Sequence, residues 1–161
     1  MSFIGNKNGK VYAPGLFLAH EECVRETREI AQTSAEDDGY GGKIVRGGTA
    51  YPSNDGNAIG IVYEDVNVTS GDMPGSVVTK GVVYEDRLAI TGVDYSAVTP
   101  VGTENPSEEA WYERSGSAGS YVYTLTTDTT VDSQKTYYKQ VAVRISSAAK
   151  TALEGLGFKF V

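Results

Sequence analysis

Few groups in this chain could do chemistry, and none of them forms a set. His20 is the sole histidine, and it is followed directly by Glu21, Glu22 and Cys23. These types could ligate a metal or pair as Cys and His for nucleophilic attack. Neighbours in sequence rarely face one another, and no second histidine completes a common zinc set. A surface role for His20 and a small buried apolar role for Cys23 are the expected readings. Glu36-Asp37-Asp38-Gly39 sets carboxylates beside a glycine, as calcium loops do. It lacks their alternating ligands and distal glutamate, so a solvated acidic turn is expected. Glu64-Asp65 and Glu85-Asp86 are acidic pairs at strand ends. Paired carboxylates that cleave sugars need a sugar-sized gap inside a cleft, and no aromatic-lined cleft is evident beside these. Gly39-Tyr40-Gly41-Gly42-Lys43 is glycine-rich before a lysine but lacks the phosphate-loop spacing and its Ser or Thr. No catalytic, metal or cofactor-binding residue is assigned, no cofactor is expected, and binding rather than catalysis is the expected activity.

Trp111, Tyr112, Tyr121 and Tyr123 are the candidates for an outward-facing surface, because exposed aromatic patches mark interaction sites. With Tyr137 and Tyr138 they could line a carbohydrate site. The plainer reading is a miniature core that offsets small size with large side chains. The single Trp and five of the 11 Tyr fall within residues 111–138.

The elements that must hold these residues are mostly strands. Lys43-Ile44-Val45-Arg46 is stopped by Gly47-Gly48, and Asn54-Asp55-Gly56-Asn57 is a strong turn. The apolar run 58–63 reads as a buried strand, with Gly60 where another group comes close. Thr69 to Gly75 is a second turn region. Residues 76–84 form another strand, with Gly81 as a bulge. Trp111–Arg114 and Tyr121–Thr126 read as a hairpin, and 136–145 as a long strand with Tyr137, Lys139, Val141, Val143 and Ile145 on one face. Residues 20–32 fit a helix and a strand equally well. Ser146 or Ser147 caps a closing helix rich in alanine, and Gly155 or Gly157 ends it. That helix is too short to stand alone, so it must dock through Ala149, Ala152, Leu153 and Leu156. A last strand alternates Phe158 and Phe160 about Lys159.

With 161 residues, the chain holds one ordinary domain or a small domain with an inserted module. Its formal charge of -7 argues against nucleic acid as a partner, since phosphate binding needs clustered Lys and Arg. No segment reaches membrane-spanning length, and no membrane association is expected. Met1 to Lys7 lacks a signal-peptide core, and a single cysteine suits a reducing compartment of synthesis.

Three stretches carry a resemblance. They are Asn57-Ala58-Ile59-Gly60-Ile61-Val62-Tyr63-Glu64-Asp65-Val66, Val83-Tyr84-Glu85-Asp86-Arg87-Leu88, and Ala148-Ala149-Lys150-Thr151-Ala152-Leu153 with Gly157-Phe158-Lys159-Phe160-Val161. Together they resemble the lambda-type and prophage head decoration proteins of tailed bacteriophages, across about residues 40–92 and 141–161. The resemblance implies a capsid-stabilising structural protein. It would be made in the bacterial host cytoplasm and sit on the capsid exterior of the virion. It would bind the major capsid protein as a homo-oligomer, with a trimer favoured. Such proteins often carry an N-terminal arm that orders on the shell by strand addition. Phe3, Ile4, Val11, Tyr12, Leu16 and Phe17 are the arm's candidate capsid or subunit contacts. The alternative is a head-fibre or other virion surface adhesin with a carbohydrate-binding insert. The expected fold is mainly β: a small β-barrel or β-tulip-like body, one short C-terminal helix and an inserted β module. The expected divisions are an extended arm at 1–20, a body at 21–99 with 141–161, and an aromatic-rich insert at 100–140.

Overall fold

The computed structural model describes residues 14–161. The chain is mainly β, with several antiparallel sheets and one short C-terminal helix. It divides into two compact units. One holds the described residues up to Thr91 together with Arg144–Val161, and the other is Gly92–Val143.

The first unit contains β1 (Val24–Ile30), β2 (Glu36–Asp37), β3 (Lys43–Val45), β4 (Ala50–Tyr51), β5 (Gly60–Val62), β6 (Val66–Asn67), β7 (Met73–Lys80) and β8 (Val82–Val83). The second holds β9 (Gly92–Ala97), β10 (Tyr112–Ser115), β11 (Val122–Leu125) and β12 (Tyr137–Val143). The chain then returns to the first unit as helix α1 (Ser147–Gly155) and β13 (Lys159–Phe160).

The main sheet runs β1-β7-β5-β4, and a smaller one runs β2-β3-β6. The apolar run at 58–63 is continuous because the main sheet is covered on both faces. Ile61 and Val78 are paired and point to a core with Phe17, Ala58, Val83, Leu88, Ala149, Leu153 and Phe158. Their neighbours Val62 and Val77 point the other way, to a second core with Ile30, Val45, Val66 and Val68. Gly60 sits between the two layers. A Cβ there would lie 2.5 Å from Val77 Cγ1 and 2.5 Å from the Val78 carbonyl oxygen.

Among the described residues the sheets form no closed barrel, which corrects the barrel expectation. The reason lies at Gly81. It is not a bulge within one strand but the point where the chain leaves the main sheet. β8 beyond it pairs in parallel with β13. β1 and β4 therefore remain edges of the main sheet. The irregularity lies two residues earlier, where the register of β1 against β7 skips Thr79.

Within residues 20–32 the regular element is a strand, Val24–Ile30. β1 exposes everything except Ile30, so little burial marks its period. Met73, Pro74 and Gly75 belong to β7 rather than to the preceding turn. Ser146 caps α1, its side chain accepting from the Ala149 N–H at 3.1 Å. Gly157 follows the helix at φ +99°, a conformation glycine adopts without strain. Ala149 and Leu153 are fully buried, but Leu156 is 50% exposed and does not dock.

Residues 14–20, assigned to the extended arm, are built into the first unit. The Gly15 N–H donates to the Tyr63 carbonyl at 2.9 Å, Ala19 N–H to Val82 at 2.8 Å, and Tyr84 N–H to Phe17 at 2.7 Å. Leu18 bridges Val83. Phe17 lies in the core at 2% exposure.

The second unit is a four-stranded antiparallel sheet in the order β11-β10-β12-β9. It is wider than 100–140 because β9 pairs along nearly all of β12, from Tyr138 with Ala97 to Val143 with Gly92. The strand spans Tyr137–Val143, shorter than the expected 136–145, and leaves Ile145 outside it. Tyr137 and Tyr138 are adjacent, face opposite sides, and are both buried, whereas Val141 is exposed.

Candidate functional site

The acidic turn and one member of each acidic pair, Asp65 and Glu85, serve structure. Asp38 Oδ1 accepts from the Tyr40 N–H at 2.8 Å and the Gly42 N–H at 2.9 Å, and Asp37 accepts from Gly39. Each carboxylate closes the turn it stands in. Arg46 ties two distant acids together, bonding Glu36 at 2.6 Å and Asp65 at 3.1 Å. Burial opposes the Arg46 charge, but these two carboxylates outweigh it and hold its pKa above the ordinary value. Asp65 also accepts from the Gly47 N–H at 2.8 Å. Glu85 takes an ion pair from Lys150, fastening α1 to the turn after β8. Among the described residues no three His, Cys, Asp or Glu side chains are grouped to hold a metal ion. Likewise, no helix there is long and apolar enough to cross a membrane.

The proposed contact residues fare differently. Phe3, Ile4, Val11 and Tyr12 lie outside the described residues. Leu16 is exposed and open to a partner. Phe17 is a core residue, and its buried ring offers no surface.

In the second unit the pairing of strands assigns the aromatic residues to two faces. Tyr112 pairs with Tyr138, and Arg114 with Tyr123, so these share a face with Tyr95. There the rings pack on one another. Tyr95 stacks on Tyr123 at 3.9 Å between centroids. Tyr112 meets Tyr95 edge-on at 5.1 Å, and Tyr138 meets Tyr123 edge-on at 5.3 Å. Trp111 is on the opposite face, 4% exposed against Tyr137, and is not an outward-facing residue. Tyr112 and Tyr123 are half-buried in the tyrosine cluster. Only Tyr121 presents a substantially exposed ring, and Arg114 covers it at 4.2 Å. The rings expected to receive a sugar therefore cover each other. Tyr95 was missed because it stands outside the aromatic stretch. Its signal was the alternation of Val93, Tyr95 and Ala97.

The Trp111 face carries a polar network that no spacing announced. Lys135 Nζ bonds Glu113 at 3.1 Å and Asp128 at 2.8 Å. The Tyr137 hydroxyl donates to Asp128 at 2.7 Å, and the Thr126 hydroxyl donates to Glu113 at 2.6 Å. Lys135 first, then Tyr137, hold the Asp128 carboxyl below its ordinary pKa. Burial and Asp128 push the Tyr137 phenol up.

The network has a pH signature. A carboxyl whose pKa is lowered by folding adds stability above its unfolded pKa, and loses it as pH falls through the folded value. The second unit should therefore weaken below about pH 4. Trp111, the sole tryptophan, reports this unit by fluorescence. Asp128→Asn should lower its melting temperature at pH 7 and flatten the fall on acidification. An unchanged acid limb in the variant would assign that limb to other groups.

Compared with models of known protein families, with curated proteins and with solved structures, the chain matches none.

Proposed function

We propose that this chain is a structural protein of a tailed-phage virion that binds the outer surface of the capsid and stabilises it. One observation carries the reading. The three stretches that resemble head decoration proteins are far apart in sequence yet meet in one core. Ala58 and Ile61 come from the first, Val83 and Leu88 from the second, and Ala149, Leu153 and Phe158 from the third. The second and third also pair directly, Phe160 with Val83, and the Val161 N–H donates to the Val83 carbonyl at 2.9 Å. Residues that build one body together are those expected to persist together in a family.

The mechanism is adhesion. The first unit sits on the shell, and the exposed Leu16 and the turns beside the strands meet the major capsid protein. Repetition over the lattice makes modest single contacts effective, because each further contact on an already tethered assembly is intramolecular. On the capsid the protein acts as a homo-oligomer, with a trimer favoured. With a net charge of -7 it has no electrostatic attraction for packaged nucleic acid.

The test is co-sedimentation of the purified protein with expanded heads that lack it, and with isolated tails. Saturable pelleting with heads alone is the expected result. Pelleting with tails alone would place the protein elsewhere on the virion, and pelleting with neither would end the reading.

A further inference from the structure

β1 is an edge with an unusual charge order. Among the described residues its sole strand partner is β7. The Tyr63 N–H donates to the Ser76 carbonyl at 2.8 Å, so the backbone of Ser76 points towards β5. Alternation turns Gly75 and Val77 towards β1, where they meet Arg28 and Glu26. The backbone groups of Arg25, Thr27 and Glu29 therefore point out of the sheet. The Glu29 carbonyl accepts from the Tyr51 hydroxyl at 3.0 Å and keeps a second lone pair.

The strand reads Val24-Arg25-Glu26-Thr27-Arg28-Glu29-Ile30, with all but Ile30 exposed. About Thr27 the charges invert: Arg25 mirrors Glu29, and Glu26 mirrors Arg28. We propose that β1 pairs antiparallel with β1 of a second copy about a two-fold axis at Thr27, joining two main sheets into one.

In that register every outward backbone group finds a partner, giving about six hydrogen bonds. Thr27 faces Thr27, and the outward groups of Arg25 meet those of Glu29 from the second copy. Each arginine also stands opposite a glutamate, on both faces of the joined sheet. Arg25 currently lies over the Tyr63 ring at 4.3 Å, and Arg28 bonds Glu26 within its own strand. Other registers fail. A shift of two residues sets Glu26 against Glu26 or Arg28 against Arg28, and a parallel in-register pair sets every charge against itself. Charges that guard an edge against indiscriminate pairing here leave one arrangement open. A seven-residue edge is a small interface, so the dimer is weak and concentration-dependent. It needs no capsid, and it stands or falls apart from the capsid reading.

The test is sedimentation equilibrium on the full chain with Glu26→Arg and Arg28→Glu. Wild type should show a monomer–dimer equilibrium. Each reversal alone puts like charges across the axis and should weaken the dimer at least about tenfold. An equimolar mixture restores opposite charges at both positions and should recover association as a heterodimer. Thr27→Pro replaces an outward N–H by a ring methylene, which an edge strand tolerates, so it should abolish pairing while the melting transition is kept. A wild type that stays monomeric at its highest soluble concentration would overturn the proposal. So would a dimer indifferent to all three changes, or single reversals that mixing does not rescue.

Discussion

Leu153→Asp is expected to unfold the first unit. Leu153 is fully buried in the core that joins α1 to the main sheet, against residues such as Phe17, Ile61, Val83 and Phe158. Truncating such a leucine to alanine costs about 2–5 kcal/mol. A carboxylate adds the cost of desolvating its charge. The sum rivals the whole stability of a domain, about 5–15 kcal/mol. The variant should lose its cooperative thermal transition in circular dichroism, or should aggregate. Leu156→Asp, three residues on and half exposed, is the matched control. It should melt within a degree or two of wild type, about the effect expected at the surface. Equal damage from both changes would mean that the helix docks through a different face.

Gly60→Ala is the second large effect. The new methyl would lie 2.5 Å from Val77 Cγ1 and 2.5 Å from the Val78 carbonyl oxygen. The valine tip could turn aside, but the carbonyl belongs to the neighbouring strand and cannot. β5 sits between β7 and β4 with both faces buried, so it has little room to shift. A cost of about 3 kcal/mol is expected, as for other overpacked sites. That corresponds to a melting point roughly 10 °C lower. Gly155→Ala, where the new methyl meets nothing within 4 Å, should be neutral or slightly stabilising. If Gly60→Ala melted like Gly155→Ala, the close packing of β5 on β7 would be refuted.

Both sites were legible in the sequence, and the reason is physical. A strand buried on both faces must be apolar at every position, and the run at 58–63 is. A glycine inside it marks close approach. The Ser146 cap and the alanine-rich run behind it are local signals that tertiary context did not need to supply. Elsewhere the deciding interactions join distant residues. β1 contributes one buried side chain, Ile30, so its pattern could not separate strand from helix. Phe17 stands in a glycine- and proline-containing stretch without periodicity. It is buried because the backbone around it bonds to Tyr63, Val82 and Tyr84. Leu156 and Leu153 look alike in sequence, but the helix ends between them and one turns to solvent. The candidate site was the least legible part. Trp111 and Tyr112 are neighbours, and the pleat sends them to opposite faces. The Lys135 network draws on Glu113, Asp128 and Tyr137, which no local rule connects.

The central claim is that the first unit holds the capsid contact and that Gly92–Val143 is dispensable for it. The connection between the units allows a clean test. The chain leaves the first unit at Thr91 and re-enters at Arg144, and the Thr91 hydroxyl donates to the Arg144 carbonyl at 3.3 Å. Asn54 clasps both points, donating to the Thr91 hydroxyl oxygen at 3.2 Å and to the Arg144 carbonyl at 3.4 Å. A short Gly-Ser linker can span that gap, and replacing one surface connection by another costs little loop entropy. The measurement is co-sedimentation of this excised variant with expanded heads, alongside its thermal melt. The account predicts a cooperative transition and pelleting at the stoichiometry of the full chain. A variant that melts cooperatively yet stays in the supernatant would contradict it and assign the contact to the excised unit.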